Sequence, residues 1–214
     1  MSTVAHPARV IFMHGLGDTP SGWADTLRST FSARVPHVSW ALPAAPKAPV
    51  TCNGGMVMNS WMDLHEIPVE PGAHDDEAGI GRSVSTVHRA IDEAVASGIP
   101  AERIVVAGFS QGAAMAFIST LRYPKKLGGC VILSGWPPLI NKEPIALSAN
   151  AKTEFFIAHG LSDNVVTAEC AQLTGEGLSA AGVPARMRLY PGMAHSSCDK
   201  EMQDLGEFLA EVLA

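Results

Sequence analysis

The sequence predicts an α/β fold, a mostly parallel central sheet with helices on both faces. Three observations lead there. Six short apolar runs read as buried strands, helical patterns lie between most of them, and a serine set between glycines stands at one strand-to-helix junction.

The first run, residues 10–13, leads into "HGLGDT", whose glycines mark a loop. A second run covers 38–41. The clearest helix spans about 77–97, with Ile80, Val84, Val87, Ile91 and Val95 forming one stripe at steps of three and four. Asp75, Asp76 and Glu77 suit the positive end of its dipole, and Gly98 with Pro100 closes it. The run 104–109 passes directly into a small-residue helical pattern at 112–122, closed by Pro124. Runs at 130–134, 155–158 and 187–190 complete the strands, and helices are expected at 167–180 and 199–213. The proline-rich stretch 43–71 breaks the alternation. It is long for a plain connection, and Val50, Met56, Val57, Met58, Trp61 and Met62 make it too apolar for a solvent loop.

At 214 residues, 47% hydrophobic and 17% charged, the chain suits one globular domain spanning 1–214. A net charge of −6 and an isoelectric point near 5.7 set it against nucleic acid and anionic membrane as electrostatic partners. The mean hydropathy of +0.15 implies either a large core or an apolar surface kept for a ligand, a membrane surface or a second subunit in a homodimer. Four cysteines without C-x-x-C or metal-like spacing read as reduced thiols of a cytosolic protein. No apolar run is long enough to span a membrane, and the N-terminus carries no export-signal pattern, so a cytoplasmic location is expected.

Gly108-Phe109-Ser110-Gln111-Gly112 matches G-x-S-x-G in the context that motif requires, a strand before and a helix after. A serine between glycines is also an ordinary turn residue. The flanking elements favour a nucleophile, because the tight turn would place the hydroxyl at a helix N-terminus where developing negative charge is favoured. A serine hydroxyl needs a base, and the base needs an orienting group. Two later strand-to-loop stretches supply candidates in the order this motif implies: Asp163 in "FFIAHGLSDNVV" and His195 in "RLYPGMAHSSCD". His159 reads as a packed strand-end residue, and the remaining histidines precede Ser110. Acyl transfer also needs oxyanion donors, for which the backbone N–H groups of Gln111 and of Leu16 in the first loop are placed.

Other chemistries fit less well. Gly15-Leu16-Gly17 lacks the third glycine of a dinucleotide loop, and no phosphate-binding P-loop occurs. The "HDDE" at 74–77 is better explained as a helix start than as a metal cluster. No cofactor or metal is implied.

Taken in order, "FMHGLGDT", "GMVMNSWMD", "DEAGI", "GFSQGAAMA", "LSGW", "HGLSDNVV" and "GMAHSSC" resemble the acyl-protein thioesterase and lysophospholipase family of small cytosolic carboxylesterases. The resemblance spans nearly the whole chain. It implies a reduced α/β-hydrolase without a separate cap domain, a Ser110–Asp163–His195 triad, and an oxyanion hole from the backbone of Leu16 and Gln111. It further implies that the 43–71 loop lies over the active site, with Met56, Met58 and Trp61 touching an acyl chain. The implied substrates are S-acylated proteins or lysophospholipids, met through transient contact with a membrane surface. Many members carry an acidic residue and a proline where this chain has Leu161 and Asn164, a departure that bears on loop shape and substrate preference.

Overall fold

The computed structural model describes residues 7–214; the N-terminal stretch 1–6, read above for an export signal, lies outside them. Six strands form one parallel sheet: β1 (Ala8–Met13), β2 (Val38–Ala41), β5 (Ile104–Phe109), β6 (Gly129–Leu133), β7 (Phe155–Gly160) and β8 (Ala185–Tyr190). Their order is β2-β1-β5-β6-β7-β8. The connections therefore reverse direction between β1 and β5, the position where open α/β sheets leave a crevice at their carboxyl ends. Register puts Met13 opposite Gly108 and Gly108 opposite Ile132, so the loops after β1, β5 and β6 open on one edge.

Alternation along each strand divides the core in two. Ile11, Met13, Ile104, Val106, Cys130, Ile132, Phe155 and Ile157 face α2 (Glu77–Ala96), α3 (Gln111–Arg122) and α4 (Ala168–Ala180). Val10, Phe12, Val105, Ala107, Val131, Leu133, Phe156 and Ala158 face α1 (Pro20–Phe31) and α5 (Asp199–Val212). Helices thus cover both faces, as the alternating pattern requires, and the central strands are apolar on both sides for that reason. Burial of α3 is nearly complete from Gln111 to Leu121, which its alanines and glycine permit by letting backbone approach backbone. Among the described residues no helix is long and apolar enough to cross a membrane.

One helix and one hairpin were not legible. The helix α1 buries only Leu27 and Phe31 and is otherwise rich in Ser, Thr and Gly, so its apolar stripe is too thin to read. Within 43–71, β3 (Lys47–Val50) and β4 (Met56–Asn59) pair as an antiparallel hairpin. Gly54 and Gly55 turn it at φ of 65° and 79°, the left-handed region where a Cβ is costly.

Candidate active site

Ser110 stands between β5 and α3 at φ 56° and ψ −122°, a backbone region that L-residues adopt only where surroundings impose it. Its N–H donates to the carbonyl of Leu133 at 2.9 Å, and its carbonyl accepts from Ala113 at 2.9 Å and Ala114 at 3.1 Å. Both flanking glycines are required by crowding. A Cβ on Gly108 would lie 2.2 Å from the Gly112 carbonyl oxygen, and one on Gly112 would lie 2.2 Å from the Met13 carbonyl oxygen. The turn leaves the Gln111 N–H as an orphan donor of the first helical turn.

Asp163 and His195 come together from the loops after β7 and β8. His195 Nδ1 and Asp163 Oδ2 are 2.7 Å apart, while Oδ1 accepts from the backbone N–H groups of Val165 and Val166, each at 2.9 Å. Burial of the Asp163 side chain raises its pKa, but the donors from His159, His195, Val166 and Val165 outweigh that and hold the carboxyl well below the ordinary carboxylate range. The two loops are fastened to each other: Leu161 N–H donates to Tyr190 O and Ser162 N–H to Met193 O, each at 3.0 Å. Gly160 allows this approach, since a Cβ there would lie 2.1 Å from the Met193 carbonyl oxygen. The His195 ring packs on Phe109 with centroids 4.8 Å apart, which sets the imidazole beside the residue preceding Ser110.

The loop after β1 reaches the same place. Gly15 abuts the serine, so that a Cβ on it would be 3.4 Å from Ser110 Cβ. The imidazole of His14 donates from Nδ1 to the Gly15 carbonyl at 2.8 Å and accepts at Nε2 from Ala45 N–H at 3.1 Å. Gly17 N–H donates to Asn59 O at 2.8 Å, and Asn59 Nδ2 returns a bond to Asp18 O at 2.7 Å. Among the described residues the N–H groups of Leu16 and Gln111 meet no acceptor, which leaves two backbone donors beside Ser110. A strained serine, a carboxylate-bound imidazole and two free N–H groups are the parts that acyl transfer needs.

The phospholipase/carboxylesterase family matches residues 2–213. The chain belongs to this family. It is 43% identical to a probable carboxylesterase of Oryza sativa subsp. japonica, over 94% of this chain and 76% of that one. With acyl-protein thioesterase 1 of Cryptococcus neoformans var. neoformans it shares 40% identity over 98% of this chain and 94% of the relative. The crystal structure of Arabidopsis thaliana SOBER1 superposes with a TM-score of 0.90 at 36% identity, covering 97% of this chain and all of that one. The protein is thus a carboxylesterase-type hydrolase with the α/β-hydrolase fold.

In this hydrolase the stretch 43–71 is tied down where it passes the site. Trp61 N–H donates to Gln111 Oε1 at 2.8 Å, Gln111 Nε2 donates to Met62 O at 2.7 Å, and the Trp61 indole N–H donates to His14 O at 2.9 Å. Trp61, expected to touch an acyl chain, is thereby held on the inner side of this stretch. The indole is 1% exposed and packs on His14, because a large ring with one N–H is best placed where both its faces and its donor are satisfied. Met58 is half-buried beside the first loop, its sulfur 3.7 Å from where a Gly17 Cβ would stand, and Met56 is 64% exposed.

The "HDDE" stretch is a helix start, with Asp76 accepting from Gly79 N–H at 2.9 Å and Asp75 from Leu139 N–H at 3.0 Å. No metal-binding cluster occurs among the described residues. Two roles were missed in the sequence. The Gln111 side chain bonds the 60–62 backbone, and His159 touches Asp163. The first had no signal; the second had one, since His159 and Asp163 stand four residues apart across a tight strand-to-loop turn.

Proposed function

We propose that this hydrolase cleaves fatty acyl thioesters or esters, on S-acylated proteins or lysophospholipids, through a Ser110–His195–Asp163 triad and an acyl-enzyme. The observation that carries the reading is the 2.7 Å contact between His195 Nδ1 and Asp163 Oδ2, made beside a serine held in a strained turn. Nδ1–H donates to the carboxylate, which leaves Nε2 free to act as base. Ser110 Oγ attacks the acyl carbonyl as His195 Nε2 takes its proton, and the oxyanion rests on the N–H groups of Leu16 and Gln111. Collapse expels the thiol or alcohol with the proton from His195. Water, deprotonated by His195, then attacks the acyl-enzyme and frees the fatty acid.

The whole chain acts as one hydrolase domain in this reading, and the 43–71 segment flanks the site. Met58 beside the first loop and the exposed Met56 are suited to an acyl chain, because a flexible thioether adapts to apolar ligands of varied shape. The names of the fungal and rice relatives agree with ester and thioester substrates. Cytoplasmic placement is supported by Cys52, Cys130, Cys170 and Cys198 all being free thiols. A kcat/KM series over acyl-chain length, run on oxygen esters and thioesters with Ser110→Ala as control, tests the proposal. Activity rising with chain length and lost in the control is the expected result; turnover by Ser110→Ala, or a preference for acetyl groups, overturns it.

A further inference from the structure

His159 is the fifth residue of β7 and is fully buried. Its Nε2 lies 2.8 Å from the carbonyl oxygen of Val166 and 3.4 Å from Asp163 Oδ2, the oxygen that also meets His195. A carbonyl only accepts, so Nε2 carries the proton and donates it to Val166 O, while Asp163 Oδ2 stands within ion-pair distance of the same nitrogen. Nδ1 points into the core and has no hydrogen-bond partner among the described residues. A proton there would have no acceptor, so the ring serves as a single donor aimed at the Asp163 turn. The same turn is closed by Val165 and Val166 N–H on Asp163 Oδ1, and it is anchored from outside by Val69 N–H to Val165 O at 2.8 Å and Thr167 N–H to Val69 O at 3.0 Å. Val165, Val166 and the Val69 anchor are enough to hold the backbone of the turn. His159 adds one more tie, to Val166 O, and with it sets an N–H on the catalytic side of the carboxylate.

We propose that His159 is a positioning residue for hydrolysis: its Nε2–H, anchored on Val166 O, sets a positive dipole against Asp163 Oδ2 opposite His195, steadying that oxygen in line with the His195 ring and tempering its pull on the Nδ1 proton. The proposal deepens the triad reading and rests on it. A carboxylate stripped of one donor is more basic and holds an imidazolium opposite it more firmly. The acid side of the pH–rate profile is therefore the place where the second imidazole shows itself. The other titratable groups facing this pair are on α4 and the segment before α2. The Cys170 thiol, pushed up to about 11 by burial, donates to Val69 O within electrostatic reach of Asp163, Glu169 and Glu70, and Glu169 is within reach of His159.

The test compares H159L, which keeps side-chain bulk and removes the donor, with H159Q, whose terminal amide reaches the former Nε2 position. Both are normalised to active sites with a fluorophosphonate probe. In H159L kcat is expected to fall about tenfold at nearly constant KM, the scale of one charge-assisted hydrogen bond. Its acid limb of kcat/KM is expected to move to higher pH by about half a unit. H159Q is expected to restore most of kcat and the wild-type acid limb. A merely structural histidine would lower Tm and the yield of active sites in both variants while leaving the limb in place, and that outcome overturns the proposal. Where neither variant folds, the ring ¹⁵N spectrum of the wild-type enzyme followed with pH decides: a His159 Nε2 signal that shifts as His195 titrates supports the assignment, and one that stays fixed, or a protonated Nδ1, overturns it. Failure of the triad itself is separable, since it would show as wild-type enzyme that the probe does not label.

Discussion

Gly112→Ala places a methyl group where the structure has no room for one. Its Cβ would stand 2.2 Å from the Met13 carbonyl oxygen and 2.6 Å from that of His14, at the end of β1 and the start of the loop that carries Leu16. Real Cβ contacts start near 3.0 Å, so α3 and the end of β1 must part by about 0.8 Å. Neither side yields freely, because β1 is an inner strand and α3 is buried along nearly its whole length. Overpacking of this kind costs about 1–3 kcal/mol, or roughly 3–10 °C in Tm for a domain of this size. The catalytic effect should be larger. The displacement separates the Leu16 and Gln111 N–H groups, which in the proposed mechanism converge on one oxyanion, and misplacement by about 1 Å costs on the order of a hundredfold in rate. The assay is kcat/KM on a chromogenic ester together with a thermal melt, beside Gly81→Ala as control. Gly81 lies inside α2 with no atom within 4 Å of its would-be Cβ, so alanine there should leave activity unchanged and stabilise by about 1 kcal/mol. A Gly112→Ala enzyme that melts and turns over like Gly81→Ala would refute the reasoning that this glycine sets the spacing of the two donors.

Two further expectations concern charge. Asp163→Asn should lower kcat by about ten-thousandfold, because the amide no longer selects the His195 tautomer with a free Nε2. Its stability cost has a defined pH window: the folded carboxyl titrates below its unfolded value, so its contribution is complete above about pH 4 and is lost as pH falls through the folded pKa. Melts of wild type and variant should differ at neutral pH and converge in acid. Glu201 is the opposite case. It is fully buried on the first turn of α5 with no hydrogen-bond partner for either carboxylate oxygen among the described residues, and burial pushes its pKa up to about 8. A carboxyl raised above its unfolded value destabilises increasingly as pH climbs from the unfolded pKa to the folded one. Glu201→Gln should therefore raise Tm by several degrees at pH 7 and by little at pH 4.5, and equal gains at both pH values would exclude ionisation as the cause.

Much of the architecture could be read from one dimension. The β-strand runs and four of the five helices carry their own signals, since a strand buried on both faces must be continuously apolar and an amphipathic helix must repeat at three and four. The stripe from Ile80 to Val95 and the run Ile104–Phe109 are of this kind. The placement of Ser110, Asp163 and His195 just past strands was likewise legible, because the chain order of such loops in a parallel sheet is known in advance. The extent of α1 and the hairpin β3–β4 were not, for their residues are held by partners elsewhere in the chain more than by local pattern.

The sequence by itself singled out Ser110, Asp163 and His195 and the edge of the sheet at which they emerge. Only the tertiary structure decided which neighbours those side chains meet. Trp61 sits in a stretch that reads as ligand-facing, yet its indole is spent on His14 and the core. The amide of Gln111, adjacent to the serine, braces the 60–62 backbone instead of reaching the site. His159, which reads as strand packing, lies against the carboxylate that orients His195. Composition and periodicity report whether a residue is buried. Which donor meets which acceptor inside the core is set by a few ångströms of three-dimensional placement, which spacing along the chain marks for the local pair His159 and Asp163 and not for Trp61 or Gln111.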